Sequence, residues 1–288
     1  MRIKNQKPPT NLQHVLVCYG NKLGYYHGAK YQILKNFQWF KHNAICVVTE
    51  RPDLFEGYPV RVIELNDHQL EEWSLRGIDH FGIKLQGLRL AIDSCPPDTQ
   101  RSLLLDTDMF WSRDPSLLAT DISSNSIVLY QNEGKIIGSK NISIQRYQQA
   151  LFDREVTYQT GKPYNLDFDS EMWGSATIGI HHENSQLLVD AFSLFEKISP
   201  IVDAHTVEQF ALSEVSRIGG YCRKSAKKYI KDWSSIGRKD YATPILDEYF
   251  KNLGENDFAK HLATFRRIKI QRPFLTLIQQ KYERWKKK

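Results

Sequence analysis

Two carboxylates one residue apart, Asp106 and Asp108, follow the apolar run Ser102-Leu103-Leu104-Leu105. Oxygen ligands of that kind suit a hard divalent cation such as Mn²⁺ or Mg²⁺. A cation held there can bridge a diphosphate and neutralise the charge that develops as it departs. Alternate side chains of an extended chain share a face, which predicts that Asp106 and Asp108 point the same way. The spelling alone says little: two Asp separated by one residue arise about once by chance in a chain of ordinary composition, and Asp167-Phe168-Asp169 repeats it. Context strengthens the first pair, because it closes a strand-like run and Arg113-Asp114-Pro115 punctuates the chain soon after. The plainer reading, that both Asp cap a strand and solvate a turn, stays open.

The elements that must position this pair follow from hydrophobic patterning. Strands are predicted at His14–Gly20, Ala44–Thr49, Val60–Leu65, Ser102–Asp108, Ser126–Tyr130 and Ser175–Ile180. Helices are predicted at about 28–41, through Ile33, Leu34, Phe37 and Phe40, and at about 82–93. Residues 141–172 are polar and aromatic and read as loops with a short helix. Two helices follow, about 184–198 with Asn184 as N-cap and about 206–218, and residues from about 240 onward read as helical with interruptions at Pro244 and Pro273. Strands alternating with helices predict an α/β fold with a mostly parallel sheet. In such sheets ligands bind beyond the carboxyl ends of the strands, where Asp106 and Asp108 stand.

Composition sets bounds. The 288 residues, 41% apolar, suffice for one large domain, and no run of eighteen apolar residues exists to cross a membrane. Nothing at the N-terminus reads as a signal peptide. Cys18 and Cys46 lie in apolar runs as small core residues, and no cysteine has a partner at metal-ligand spacing, which points to a reducing cytoplasm. The net charge of +6 is local: residues 265–288 hold nine Lys/Arg and one Glu, which leaves the rest at −2. No nucleic-acid partner is expected from so neutral a body. The tail interleaves Phe265, Ile268, Ile270, Tyr282 and Trp285 with its charges. It suits an anionic membrane surface at the inner face of the membrane, or equally a docked terminal helix.

On these residues the chain resembles the GT-A glycosyltransferases, especially the group that includes glycogenin and the bacterial lipopolysaccharide galactosyltransferases. Val15–Gly20 resembles their nucleotide-binding first strand, with Tyr19 at its end. Lys84, in Gly82-Ile83-Lys84-Leu85-Gln86, matches a basic residue on the helix before the metal strand. Asp106-Thr107-Asp108 matches their metal motif. Trp173-Gly174-Ser175-Ala176-Thr177-Ile178-Gly179 resembles a later strand but lacks its usual Asn. Glu208-Gln209-Phe210-Ala211-Leu212 resembles an Asp-Gln helix start with Glu in place of Asp. The likeness spans roughly residues 14–235. It implies a single GT-A-like domain over 12–240 and a helical basic tail over 241–288. It also implies metal-dependent sugar transfer from a nucleotide-diphosphate donor, a UDP-sugar being favoured, to a glycan or glycolipid acceptor in surface polysaccharide or lipopolysaccharide synthesis.

The resemblance assigns Tyr19, Lys84, Asp106, Thr107, Trp173, Gly174, Ser175 and Gln209 to the nucleotide-sugar and Asp106 and Asp108 to the metal. Asp232, in Tyr229-Ile230-Lys231-Asp232-Trp233, stands where the family often has a histidine as third ligand. Each assignment has a plainer counterpart. Lys84 reads equally as a solvated helix lysine. Thr206-Val207-Glu208-Gln209 fits a capping box, and an early-turn Glu suits the helix dipole. Asp232 could simply pair with Lys231 or Arg238. Asp169 and Glu171, in a segment with three carboxylates and two aromatics, are candidate catalytic bases if the reaction inverts configuration, or members of an acidic loop. Glu208 is a third catalytic candidate. His181 and His182 are adjacent and so point to opposite sides of a strand. A haloacid-dehalogenase-type phosphatase would place its nucleophilic Asp on the first strand, whereas at least three strands precede Asp106 here. A catalytically inactive binding protein of the same fold is the remaining alternative.

Overall fold

Leu12–Cys18 form the first strand, β1, and every one of its residues is buried. An unbroken apolar run of this kind belongs in the middle of a parallel sheet covered on both faces. The computed structural model describes residues 11–39, 44–159, 161–233 and 236–271. Phe40, Pro273 and the basic run beyond it, and residues 1–10, lie outside the described residues.

After β1 come helix α1 (Leu23–Asn36), strands β2 (Ile45–Thr49) and β3 (Arg61–Glu64), and helices α2 (Asp67–Trp73) and α3 (Gly82–Asp93). Strands β4 (Arg101–Leu105), β5 (Met109–Trp111), β6 (Ser126–Leu129) and β7 (Asn132–Lys135) lead to helix α4 (Ile142–Leu151). Strands β8 (Val156–Tyr158), β9 (Lys162–Tyr164), β10 (Glu171–Trp173) and β11 (Thr177–His181) precede helices α5 (Gln186–Ile198) and α6 (Val207–Ile218). Strands β12 (Cys222–Ser225) and β13 (Ile230–Asp232) and helices α7 (Ile236–Leu253) and α8 (Phe258–Thr264) follow.

The main sheet has seven strands in the order β12-β6-β11-β4-β1-β2-β3. β11 runs antiparallel to both its neighbours, and the other pairings are parallel. The expected α/β fold with a mostly parallel central sheet is therefore the one observed. Side chains of β1 alternate between two cores, as a period of two requires. Val15 and Val17 join Leu85 and Leu88 of α3 and Phe195 of α5, while Leu16 and Cys18 join Tyr26, Ala29 and Ile33 of α1. Cys18 and Cys46 are buried core residues, as their settings predict.

Three local expectations are corrected. Helix α1 starts at Leu23, five residues before the expected start, because its first turn is not apolar enough to show in the periodicity. Asn184 does not cap α5: its side chain donates to the Ser123 carbonyl, and Ser185 stands at the cap without a side-chain bond. Pro244 does not interrupt the late helix; it lies inside α7. A proline there forfeits one backbone hydrogen bond and costs about 3 kcal/mol. Ala242, Leu246 and Phe250 offset that cost, since all three are buried against Tyr31 and Leu34 of α1. Helix α7 spans residue 240 without a break and is clamped to α1 by charge: the fully buried Lys30 donates to the Glu255 carboxylate at 2.9 Å, and His27 lies between Asp247 and Glu255. Phe265 and Ile270, the start of the basic tail, are buried in the same cluster. Among the described residues no helix is long and apolar enough to cross a membrane.

One consequence of the core concerns acid. His14, on β1, is fully buried and bonded to the Leu103 carbonyl at 3.0 Å, and burial lowers its pKa from 6.5 to about 4. A histidine with a depressed folded pKa binds its proton more readily when unfolded. Its stabilising effect is therefore complete above pH 6.5 and is lost as pH falls toward 4. Between pH 6.5 and 5 that loss amounts to roughly 2 kcal/mol. Ring-proton NMR should show His14 still neutral at pH 5 in the folded chain; titration near 6.5 would remove the argument.

Candidate active site

The carboxyl ends of β1 and β4 open into a cavity of about 290 Å³ whose lining includes Tyr19, Lys84, Asp106, Thr107 and Asp108. Five of the residues singled out in the sequence thus meet in one place. They do not arrive as alternation predicts. β4 ends at Leu105, and the Met109 amide donates to the Asp106 carbonyl, so Asp106-Thr107-Asp108 forms a tight turn, not extended strand. The two carboxylates share the cavity because the turn folds both toward it.

Neighbouring elements hold the backbone of that turn. The Asp106 amide donates to the Ala176 carbonyl just before β11, and Gln32 of α1 donates to the Asp106 carbonyl at 2.6 Å. The Trp233 amide, just after β13, donates to the Asp108 carbonyl at 3.0 Å. Gly28 of α1 lies directly against the turn: a Cβ there would come within 2.3 Å of the Thr107 carbonyl oxygen. Glycine is required by this close approach, not by an unusual backbone angle.

Lys84 is not a solvated helix lysine. It is 5% exposed, and its ammonium reaches Ser175 Oγ at 2.9 Å, Glu208 Oε1 at 3.0 Å and Asp106 Oδ1 at 3.5 Å. Burial alone would lower its pKa, but the Asp106 and Glu208 carboxylates overcome that and hold it above the usual lysine value. Lys84 is therefore a fixed cation. The Asp106 pKa is also raised, well above the usual carboxylate range, first by burial and then by Asp108 and Glu208, with Lys84 opposing. Asp106, Asp108 and Glu208 against Lys84 and Lys239 leave this end of the sheet with one carboxylate more than lysines.

Glu208 and Gln209 are not a capping pair. Thr206 makes no side-chain cap to α6. Glu208 is 1% exposed and accepts from Ser175 Oγ at 2.7 Å, while its Oε2 has no hydrogen-bond partner. It stands behind Lys84 and so positions that ammonium without lining the cavity. Gln209 accepts from the Ser175 amide at 3.3 Å and donates to Glu133 at 3.0 Å. Ser175 is thus the hub joining α3, α6 and the strand before β11. Gly174 is tied by backbone bonds to Tyr130 and Gln131.

The acidic loop lies elsewhere. Asp169 is exposed and pairs with Lys135, and Glu171 pairs with Arg223 at 3.1 Å and accepts from the Trp173 indole at 3.2 Å. Neither lines the cavity, nor does Trp173, whose ring lies against Arg223. A surface ion-pair cluster and a catalytic one use the same residue types, so residue pattern alone does not separate them. His181 and His182 also lie away from the cavity, and His182 bonds Ser102 at 2.9 Å.

Asp232 sits on β13 opposite Met109, with its carboxylate on Arg238, and lines a neighbouring cavity. Asp108 is met at 2.6 Å by Lys239 of α7. Among the described residues no third His, Cys, Asp or Glu joins Asp106 and Asp108 in a metal-holding group. Their oxygen chemistry nevertheless fits a hard cation, and the excess of carboxylates over lysines at this end of the sheet favours one. Sequence reasoning missed Lys239, His80, Phe81 and His205, all of which line the cavity. The rings of Phe81 and His205 meet edge to face at 4.8 Å, and Tyr19 donates to the His80 carbonyl at 3.0 Å. No local motif marks them, since they come from unrelated segments.

No family model matches the sequence, and no curated protein sequence matches it. Among solved structures, the chain is similar to the galactosyltransferase LgtC in complex with donor and acceptor sugar analogues, at 14% identity over 73% of this chain and 72% of that one, with a TM-score of 0.45. It is also similar to mouse xyloside xylosyltransferase 1, at 10% identity over 75% and 85% of the two chains and a TM-score of 0.43. A third likeness is to the bifunctional glycosyltransferase WbbM, at 12% identity over 74% and 38%, with a TM-score of 0.42.

Proposed function

We propose that the protein transfers a sugar from a nucleotide-diphosphate donor, a UDP-sugar being favoured, to a hydroxyl of a glycan or glycolipid. The observation that supports this best is the buried Lys84 ammonium held beside Asp106 at the carboxyl end of a parallel sheet, next to Asp108 on the same cavity. Mn²⁺ or Mg²⁺ bound by Asp106 and Asp108 would supply the positive charge that a departing diphosphate needs. The chain's own contribution is a second, permanent cation: Lys84, kept charged by Glu208 and aimed by Ser175, faces the same developing charge. Thr107 and the Tyr19 end of β1 line the donor's place. Asp232 would join the metal only by leaving Arg238. Surface polysaccharide or lipopolysaccharide synthesis at the inner membrane face is the setting this reading suits.

Isothermal titration with UDP tests it. Binding should require Mn²⁺ or Mg²⁺, and Asp108→Ala should weaken it by at least about tenfold, as loss of groups around a metal commonly does. If neither UDP, GDP nor CDP binds with or without metal, the donor reading fails and a non-catalytic protein of the same fold is the better account.

A further inference from the structure

Residues of the β5–β13 ribbon and the turn just before it line two cavities. Asp108 and Lys239 line the one already described, while Phe110, Trp233 and Arg238 line a second, of about 470 Å³. Asp108 and Phe110 are two positions apart in the chain, and Arg238 and Lys239 are consecutive. Tyr130, also on the second cavity, packs against Gly174 beside the Lys84 hub. Whatever occupies the second cavity therefore lies next to the donor's place.

The charged residues of its lining are Lys227, Lys231, Arg238 and Asp232. Arg238 is paired with Asp232. Lys227 and Lys231 have no carboxylate partner among the described residues, and Lys35 adds a further ammonium 4.8 Å from the centre of the Phe110 ring. Lys35 and Lys231 are close enough that, after burial, repulsion from Lys231 helps hold the Lys35 pKa below its usual value. Lys227 and Lys231, exposed on one concave surface without carboxylate partners, gather positive charge that favours an anion. Tyr130, partly exposed, adds a ring with a polar edge suited to a sugar, and Phe110 and Trp233, both 5% exposed and packed on each other, form an apolar floor beside it.

We propose that this second cavity binds the acceptor and that the acceptor is a saccharide carrying a phosphoryl group. The phosphoryl group rests on Lys227 and Lys231, and the sugar ring lies against Tyr130 with its hydroxyl turned toward the side where Asp108 and Lys239 stand. The assignment rests on the donor reading of the adjacent cavity.

The test uses the full chain and three probes: glucose 1-phosphate, a short-chain prenyl-diphosphate-linked glucose, and neutral methyl glucoside. Binding is followed by ligand-observed NMR with and without saturating UDP and Mn²⁺. The two phosphorylated probes distinguish a phosphomonoester from a lipid-linked source by which binds more tightly. Both should bind in the presence of UDP, methyl glucoside should bind at least about tenfold more weakly, and Lys227→Ala/Lys231→Ala should lower the phosphorylated probes' affinity about tenfold through loss of two charge-assisted contacts. UDP affinity should change less than about twofold in the variant, because neither lysine lines the donor cavity. Both side chains are exposed, so the variant should fold, and Lys227→Glu/Lys231→Glu should abolish binding if charge is the cause. The proposal is overturned if the neutral sugar binds as well, if the alanine variant binds unchanged, or if UDP displaces the probes, which would place them in the donor cavity. Absence of UDP binding to the wild-type chain would instead remove the donor reading, and the lysine dependence is measured separately from it.

Discussion

Replacing Lys84 by Met should destabilise the protein by about 3–5 kcal/mol, the usual consequence of leaving a buried charge without its partner. Glu208 is 1% exposed and would retain only the Ser175 hydroxyl, and Asp106 would lose its nearest cation. For a chain of this size that corresponds to a fall in melting temperature of roughly 10 °C. The double variant Lys84→Met/Glu208→Gln should recover much of the loss, because the uncompensated carboxylate is gone. Nucleotide binding should stay impaired in both. This split separates the two tasks of the lysine: stability follows the Lys84–Glu208 pair, and binding follows the ammonium alone. Chemical denaturation and UDP titration of the three proteins decide it. A single variant within about 1 kcal/mol of wild type would show that the cluster is not an energetic unit.

Gly28→Ala should be the second severe change, and its sign is informative. In the middle of an exposed helix, alanine is better than glycine by about 1 kcal/mol. In α1 the new Cβ would press to 2.3 Å from the Thr107 carbonyl oxygen, a backbone atom already fixed on both sides by its turn. Either α1 or the Asp106–Asp108 turn must move, and overpacking of this kind costs about 3 kcal/mol. The displaced turn carries both candidate metal ligands, so metal-dependent UDP binding should fall together with stability. A more stable Gly28→Ala protein with unchanged UDP affinity would contradict the close contact.

Strands and site are legible to different degrees. β1, β2 and β4 are continuous apolar runs with little else they could be, and α3 begins and ends where its pattern does. Lys84 was visible only through resemblance, because a lysine on a helix is ordinarily exposed and nothing local announces that Ser175 and Glu208 will enclose it. The Thr206–Gln209 box was a sound local alternative, but tertiary partners claimed both Glu208 and Gln209. Pro244 misled for a related reason: proline argues against helix locally, and the buried Ala242, Leu246 and Phe250 override it from a distance. The geometry of Asp106 and Asp108 depends on where a strand stops, which hydrophobicity marks poorly when the next residues, Met109–Trp111, are apolar again. Lys239, His80 and His205 reach the cavity only through the packing of distant segments. Asp169 and Glu171 show the converse, a residue set that looks chemical and is occupied in surface ion pairs.

The clamp between α1 and the late helices bears on the timing of synthesis. His27 and Glu255 are 228 residues apart, and α1, which carries His27, supports the Thr107 turn through Gly28 and Gln32. At about 5–20 residues per second, a ribosome needs roughly 10–50 s to travel from one partner to the other. In the part of that interval between residues 108 and 239 the nascent chain carries Asp106 and Asp108 without Lys239, and until α7 is made α1 presents the apolar surface of Tyr31 and Leu34 that α7 later covers. The nascent chain thus passes through a stage with an acidic, half-finished pocket beside bare hydrophobic surface on α1, a face that a chaperone would shield while translation is under way.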